Sequence, residues 1–231
     1  MLCYSFMKNP QFPMRINQYL AWQKHSTRRG GDKLVEDKKV LLNGKPAKHG
    51  DKVQEKDVVE ILETKNAKPY LYFAYHKPKG AATEEITPPQ KKVFTLGRLD
   101  KASSGLMILT NDGRITDRLL NPEYNHDKEY IVKTAEKLRS SFKKNMEEGV
   151  DIDGYVTKKC QVKILDDFSF RITLTEGKKH QIRRMCSALH QQVRDLKRIR
   201  IMNIHLKDLP PDSYRTIQGA ELKTFLKNLD L

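Results

Sequence analysis

The stretch Leu96-Gly97-Arg98-Leu99-Asp100-Lys101-Ala102-Ser103-Ser104-Gly105-Leu106-Met107-Ile108-Leu109-Thr110-Asn111-Asp112-Gly113 sets one acidic side chain among glycines, hydroxyls and basic residues, just ahead of an apolar run. That acid is Asp100. In an extended segment successive side chains alternate, so Arg98 and Asp100 share one side while Leu99 anchors the other. Gly97 and Gly105 permit tight turns and the close approach of a ligand on either side of the acid. Leu106 to Leu109 has the composition of a buried strand, and Asn111-Asp112-Gly113 is a turn opening a helix that carries Ile115, Leu119 and Leu120. A carboxylate on a glycine-flanked loop running into a core strand is well placed for chemistry. On spacing alone it serves equally well as a structural partner of Arg98.

Working outward, 231 residues allow one large domain with a small one attached. Forty-four Lys plus Arg against 29 Asp plus Glu leave a formal net charge of +15, which favours a polyanionic partner over a neutral metabolite. Cys3, Cys160 and Cys186 are far apart and form no Cys-x-x-Cys pair, so neither a disulfide framework nor a zinc site is expected. A reducing cytoplasm fits. Met1 to Met7 carries no cationic run before it and no small-residue cleavage signal after it, and no apolar run approaches membrane-spanning length. Secretion and membrane insertion are not expected.

The first third reads as a small module. Ile16 and Leu20 stand at helical spacing, a basic pair Arg28-Arg29 follows, and a second short helix is expected around Lys33 to Asp37. Val40-Leu41-Leu42 runs into Asn43-Gly44, a tight-turn signal, and Asp57 to Leu62 reads as another strand. An N-terminal extension over 1–14, a module over 15–64 and a larger domain over 68–231 are the expected divisions. The polar Glu63 to Pro69 serves as linker, with the boundary near residue 66. Tyr70 to Tyr75 then reads as a strand stopped by His76-Lys77-Pro78-Lys79-Gly80, its aromatics filling a core more readily than stacking on bases.

Beyond Asp100, Lys128 to Val132 has strand character. Ser140 to Glu148 reads as a charged surface helix, and Cys160 to Leu165 and Phe168 to Leu174 read as strands. After Gly177, the spacing of Ile182, Met185, Cys186 and Leu189 gives one apolar helix face. Arg183 falls on the flank of that face, from which it can reach inward to a carboxylate, while Arg184 lies about 200° from Ile182 and points to solvent or RNA. From Lys178 to Arg200 there are eight Lys or Arg and one acid, interleaved with Ile, Val and Leu, a pattern read as a folded phosphate-binding wall that includes Arg198 and Arg200. Ile199, Ile201 and Ile204 close the core, and a helix over Glu221 to Leu229 caps the chain.

Two resemblances sharpen this. Arg15 to Leu20, Ser26-Thr27-Arg28-Arg29, Val40 to Lys45, Gly50 to Val53 and Lys56 to Val59 resemble the small RNA-binding module named after ribosomal protein S-four. That module implies a basic helix face on folded RNA, with Arg28, Arg29 and Lys33 as contacts; its usual Arg-Arg-Glu-Ala is here Arg28-Arg29-Gly30-Gly31. Gly97 to Asp100, Ser104-Gly105-Leu106 and Leu109 to Gly113 resemble the signature of the RsuA/RluB/RluE/RluF group of pseudouridine synthases. Lys77-Pro78-Lys79-Gly80 precedes it as in that group, and Lys128-Glu129-Tyr130 and Leu174 to Met185 follow. The motifs keep the family's order, and the loop between Ile86 and Phe94 is short for the family. Lys158-Lys159-Cys160 and Arg198 to Met202 resemble the RluF-type branch.

The resemblance implies an α+β chain: a small αβ RNA-binding domain, then a synthase domain with a mixed, mainly antiparallel sheet flanked by helices around a central cleft. It implies isomerisation of uridine to pseudouridine in structured RNA, most closely large-subunit ribosomal RNA, with transfer RNA open, by a monomer needing no cofactor or metal. Asp100 would act beside the sugar as base or nucleophile, by taking the C2′ proton, adding to C1′ or attacking the uracil ring. Tyr130 would stack on the uracil and assist loss of the C5 proton, and Arg183 would sit beside Asp100 and keep it ionised. Leu174 would cover the uracil face, and Arg98 would take the space the flipped base vacates. Lys77, Lys179, His180, Arg184, Arg198 and Arg200 complete the expected RNA contacts. A non-catalytic RNA-binding protein of the same fold is the alternative. A hydrolytic glycosidase would need a second carboxylate, for which Glu176 is the only motif acid.

Overall fold

The computed structural model describes residues 11–23, 25–62 and 69–231. The first ten residues of the expected N-terminal extension, and the expected linker and boundary over 63–68, lie outside them. The chain divides between Pro69 and Tyr70 into two compact units.

In the first unit β1 (Met14–Arg15) leads into α1 (Ile16–Trp22) and α2 (Arg28–Glu36), followed by β2 (Val40–Leu42), β3 (Lys45–Pro46), β4 (Lys52–Val53) and β5 (Val59–Ile61). β3-β2-β5 form one sheet and β1 pairs with β4. The β2–β3 turn is made by Asn43 and Gly44, both at positive φ (51° and 75°), the conformation an Asn-Gly hairpin turn requires. The second helix starts five residues before the expected Lys33. Thr27 caps it, its Oγ1 accepting the Gly30 N–H at 2.9 Å, which offsets part of the low helix propensity of two glycines. Gly31 also has a packing role: a Cβ there would stand 3.1 Å from Asn17 Cα on α1. Ile16, Leu20, Val35, Val40, Ala47 and Val53 form the core, leaving Arg28, Arg29 and Lys33 exposed on α2.

The second unit runs β6 (Tyr72–Lys77), β7 (Phe94–Leu96), β8 (Ser104–Thr110), α3 (Ile115–Leu120), β9 (Lys128–Thr134), α4 (Phe142–Glu148), β10 (Gln161–Asp166), β11 (Ser169–Leu174), α5 (Gln181–Ala188), β12 (Val193–Ile201), β13 (Ile204–His205), β14 (Tyr214–Thr216) and α6 (Gly219–Lys227). β6 does not stop at His76. It continues through Lys77 and ends where Pro78 removes a ladder donor. α4 is not a surface helix all round, because Phe142 and Met146 are buried.

One nine-stranded sheet organises this unit, in the order β10-β11-β9-β12-β8-β6-β14, with β13 added to β12 and β7 to β8. β12–β8 is parallel and the other pairs are antiparallel, so the sheet is mixed and mainly antiparallel. Strand alternation sends Leu106 and Ile108 of β8 to a core with Ile115, Leu119 and Phe225 of α3 and α6. Met107 and Leu109 go to the opposite face, with Phe73, Tyr75, Val93 and Leu99. On β9 and β11, Val132, Phe170, Ile172 and Leu174 pack with Phe142 and Met146 of α4 and with Ile182, Met185 and Cys186 of α5. Burial pushes the Cys160 and Cys186 thiols up to about 12, which makes both poor nucleophiles. Among the described residues no helix is long and apolar enough to cross a membrane.

The two halves of the sheet meet through two register pairs, Lys197–Ser104 and Arg198–Gly105. Gly105 has φ +113°, and a Cβ on it would stand 2.2 Å from Arg198 O and 2.6 Å from Arg198 N. The close approach expected at this glycine is therefore made by the β12 backbone and not by a ligand. Gly105→Ala combines a forbidden backbone conformation with a steric clash against main chain. It should lower the unfolding free energy by about 3 kcal/mol or more in urea titration; a loss below about 1 kcal/mol would show that the junction relaxes freely.

Candidate active site

Asp100 sits on a turn held at every residue around it. Thr83 Oγ1 donates to Leu99 O at 3.0 Å and accepts the Leu99 N–H at 3.2 Å. Lys101 O accepts the Gly80 N–H at 2.8 Å, and Asp100 O accepts the Ser103 N–H at 2.9 Å. Leu99 is buried, Arg98 is exposed, and the Asp100 side chain is 34% exposed. Thr83 lies in a loop without periodicity, and a hydroxyl in the irregular segment after the Lys-Pro motif is the one signal the sequence carries for it.

Among the described residues the ion-pair partner of Asp100 is neither Arg98 nor Arg183. His180 Nδ1 lies 3.1 Å from Asp100 Oδ2. Arg183, expected beside the carboxylate, crosses instead from α5 to two backbone segments. Its Nη1 donates to Val193 O (3.2 Å), and its Nη2 donates to Ala102 O (3.0 Å) and approaches Ser103 Oγ (3.4 Å). The flank position does reach inward, but the carbonyls at the start of β12 and just after Asp100 occupy the fork. Arg183 thus ties the Asp100 turn to β12 where the two sheet halves part. Arg184 leans outward as expected, but an acid takes it: Nε and Nη2 meet Asp153 Oδ2 at 3.0 and 2.5 Å, and Nη2 reaches Ile152 O at 2.8 Å.

A row of side-chain positions crosses the sheet beneath this turn. Lys77 pairs with Gly105, Gly105 with Arg198, Arg198 with Tyr130, and Tyr130 with Ile172. Lys77 and Arg198, both expected at an RNA surface, are buried. Lys77 ends β6 facing inward, and its Nζ donates to Pro78 O (3.0 Å) and Ala81 O (2.6 Å). Burial holds this ammonium below the ordinary lysine value, with Asp100 and Glu85 opposing and Arg198 reinforcing the shift. Arg198 donates through Nε to Leu106 O at 2.7 Å. β12 is a central strand whose alternate side chains turn inward, so Arg198 is drawn into the protein and the expected wall is not continuous along its length. Arg200 is occupied too: Nη1 donates to Met202 O (2.8 Å) and Nε faces Glu129 Oε2 (3.4 Å). Lys179 remains exposed at the turn into α5. Tyr130, partly exposed, packs against apolar residues of both sheet halves, and Leu174 is buried nearby in the β11 core.

Glu176 has a structural task. Its carboxylate is buried and accepts from Tyr155 OH (2.6 Å), Gln181 Nε2 (2.6 Å) and the Lys158 N–H (3.0 Å). Lys178 N–H donates to Gln181 Oε1 at 2.9 Å, which closes the turn that presents His180. These bonds occupy the only candidate for a second glycosidase carboxylate. Burial alone would raise the Glu176 carboxyl; the bonds from Tyr155, Lys158 and Gln181 outweigh it and hold the carboxyl below its ordinary value. A carboxyl depressed by folding contributes stability above its unfolded value, and the contribution disappears as pH falls through the folded one. The stability difference between wild type and Glu176→Gln should therefore be full above about pH 5 and shrink below about pH 4 in urea titrations. A difference that is flat over this window would contradict the assignment.

Comparison with known proteins places this geometry. The RNA pseudouridylate synthase family profile matches residues 48–188, and the S4 domain profile matches residues 14–59. The dual-specificity RNA pseudouridine synthase RluF of Escherichia coli K12 is 37% identical over 235 residues, spanning 96% of this chain and 81% of that protein. The ribosomal small subunit pseudouridine synthase A of Pasteurella multocida is 32% identical, spanning 93% of this chain and 100% of that protein. A crystal structure of a pseudouridylate synthase superposes with a TM-score of 0.68 at 26% identity, covering 94% of this chain and 99% of the other. An S4 domain followed by a synthase sheet, with an Asp-bearing turn where the sheet halves part, makes this chain a member of the RNA pseudouridylate synthase family, an RNA pseudouridine synthase.

Proposed function

We propose that the chain isomerises specific uridines in large-subunit (23S) ribosomal RNA, working in the cytoplasm as a monomer. The observation that carries this is Asp100: a carboxylate one-third exposed on a turn pinned on both sides. The target base must be flipped out of its stack to reach it. Asp100 then acts at the sugar as the C1′–N1 bond breaks; the freed uracil turns, C1′ bonds to C5, C5 loses its proton and N1 gains one, so atoms balance without a cofactor. Tyr130 stacks on the uracil and assists removal of the C5 proton, Leu174 backs the ring, and Arg98, exposed at the start of the Asp100 turn, fills the space the base leaves. Arg183 keeps the Asp100 turn against β12. Residues 15–64 deliver RNA and 68–231 carry the chemistry. Transfer RNA is the second substrate to test, because a relative at 37% identity is named for dual specificity.

Pseudouridine mapping of ribosomal and transfer RNA tests this in cells lacking the gene and in cells complemented with wild type or Asp100→Asn. We expect at least one large-subunit site to vanish on deletion, return with wild type and stay absent with Asp100→Asn. A full map in the Asp100→Asn strain contradicts the proposal. For delivery, the triple variant Arg28→Ala, Arg29→Ala, Lys33→Ala should weaken RNA binding and flatten the log K against log salt slope by about 2 to 3; an unchanged slope would place the RNA elsewhere.

A further inference from the structure

His180 makes a contact that helix formation does not require. It is the N-cap of α5, a position where Ser, Thr, Asp or Asn usually accepts a helix N–H, yet its side chain makes no cap hydrogen bond. Its backbone is left-handed, with φ 52°, a conformation glycine adopts freely and asparagine, aspartate and histidine adopt more often than other residues. That conformation is fixed from outside by the Lys178–Gln181–Glu176 hydrogen bonds. The ring is sent to Asp100, with Nδ1 at 3.1 Å from Oδ2 and the two side chains 46% and 34% exposed. A pair so open to solvent adds little to stability, so stability does not account for a backbone that aims the ring at one oxygen.

We propose that His180 is a positioning residue for Asp100. The hydrogen bonds around Leu99, Lys101 and Ser103 fix the Asp100 backbone but leave rotation of its carboxylate about the last side-chain torsion, which is intrinsically broad. The contact from His180 Nδ1, 3.1 Å from Oδ2, restrains that oxygen and limits the rotation. Oδ1 is then the oxygen presented to the ribose of the flipped uridine. This rests on the reading of Asp100 as the reacting carboxylate. Glu176, which looked like a spare acid, belongs to the same device, since it and Gln181 hold the turn that carries the imidazole.

Two variants separate the donor from the backbone, because glycine and asparagine both tolerate a left-handed N-cap while only asparagine can place an N–H near the position of Nδ1. Purified full-length His180→Gly and His180→Asn are assayed for single-turnover pseudouridine formation on transcribed large-subunit RNA, with RNA affinity measured separately and melting temperatures confirming the fold. Loss of the contact that orients the carboxylate should slow His180→Gly about 10- to 100-fold. His180→Asn should come within about 5-fold of wild type, and both should keep RNA affinity within about 3-fold. A His180→Gly rate equal to wild type overturns the inference. So does equal slowing of both variants, or a loss that lies in affinity, which would make His180 an RNA contact. Asp100→Asn is run alongside: if it turns over normally, the carboxylate reading itself fails, whereas an inactive Asp100→Asn beside a fully active His180→Gly removes only the role of His180.

Discussion

The backbone of β12 lies against Gly105 more closely than any side chain would allow, and the catalytic unit depends on that contact. β8 and β12 are joined by two residue pairs, yet they unite a half built of β6, β8 and β14 with a half built of β9 to β12. Five residues before Gly105 the chain carries Asp100, and five before the Arg198 pair β12 begins at Val193, whose carbonyl receives Arg183. The strands pair only at Ser104–Lys197 and Gly105–Arg198. The carboxylate stands on the turn just before this pairing, and Arg183 bridges that turn to the start of β12 through Ala102 O and Val193 O.

Holding the halves this closely buries charge. Lys77 and Arg198 flank Gly105 in register, and Arg198 is buried with its Nε donating to Leu106 O. Burying two cations is costly unless acceptors are supplied. Here Pro78 O and Ala81 O supply them for Lys77, and the negative charge of Asp100 above offsets part of the penalty. The same turn that presents the carboxylate thus favours the buried Lys77 cation, which couples local stability to the site.

Much of this was legible in the sequence. The strand after Gly105, the alternation of Arg98, Leu99 and Asp100, the Asn43-Gly44 hairpin and the apolar face of α5 each follow from periodicities of 2 or 3.6 and from turn chemistry. The failures share a cause. Composition reports that Lys77, Arg198 and Arg200 are basic but not which way a central strand turns them, so a run read as an RNA wall became in part the interior of the sheet. Arg183 was placed on the correct flank of its helix; its partners, Val193 O and Ala102 O, are backbone atoms fixed by long-range packing that no spacing encodes. His180 and Thr83 act through a left-handed turn and a single hydroxyl, features that leave no periodic trace.

The central claim is that the β8–β12 junction sets the position of the Asp100 carboxylate. Its most direct measurement is the single-turnover rate of pseudouridine formation by Gly105→Ala at a temperature where circular dichroism shows the variant folded, with RNA affinity determined in parallel. A displaced Asp100 turn predicts a rate at least about 100-fold below wild type with affinity unchanged. A folded Gly105→Ala that isomerises uridine at the wild-type rate would contradict it.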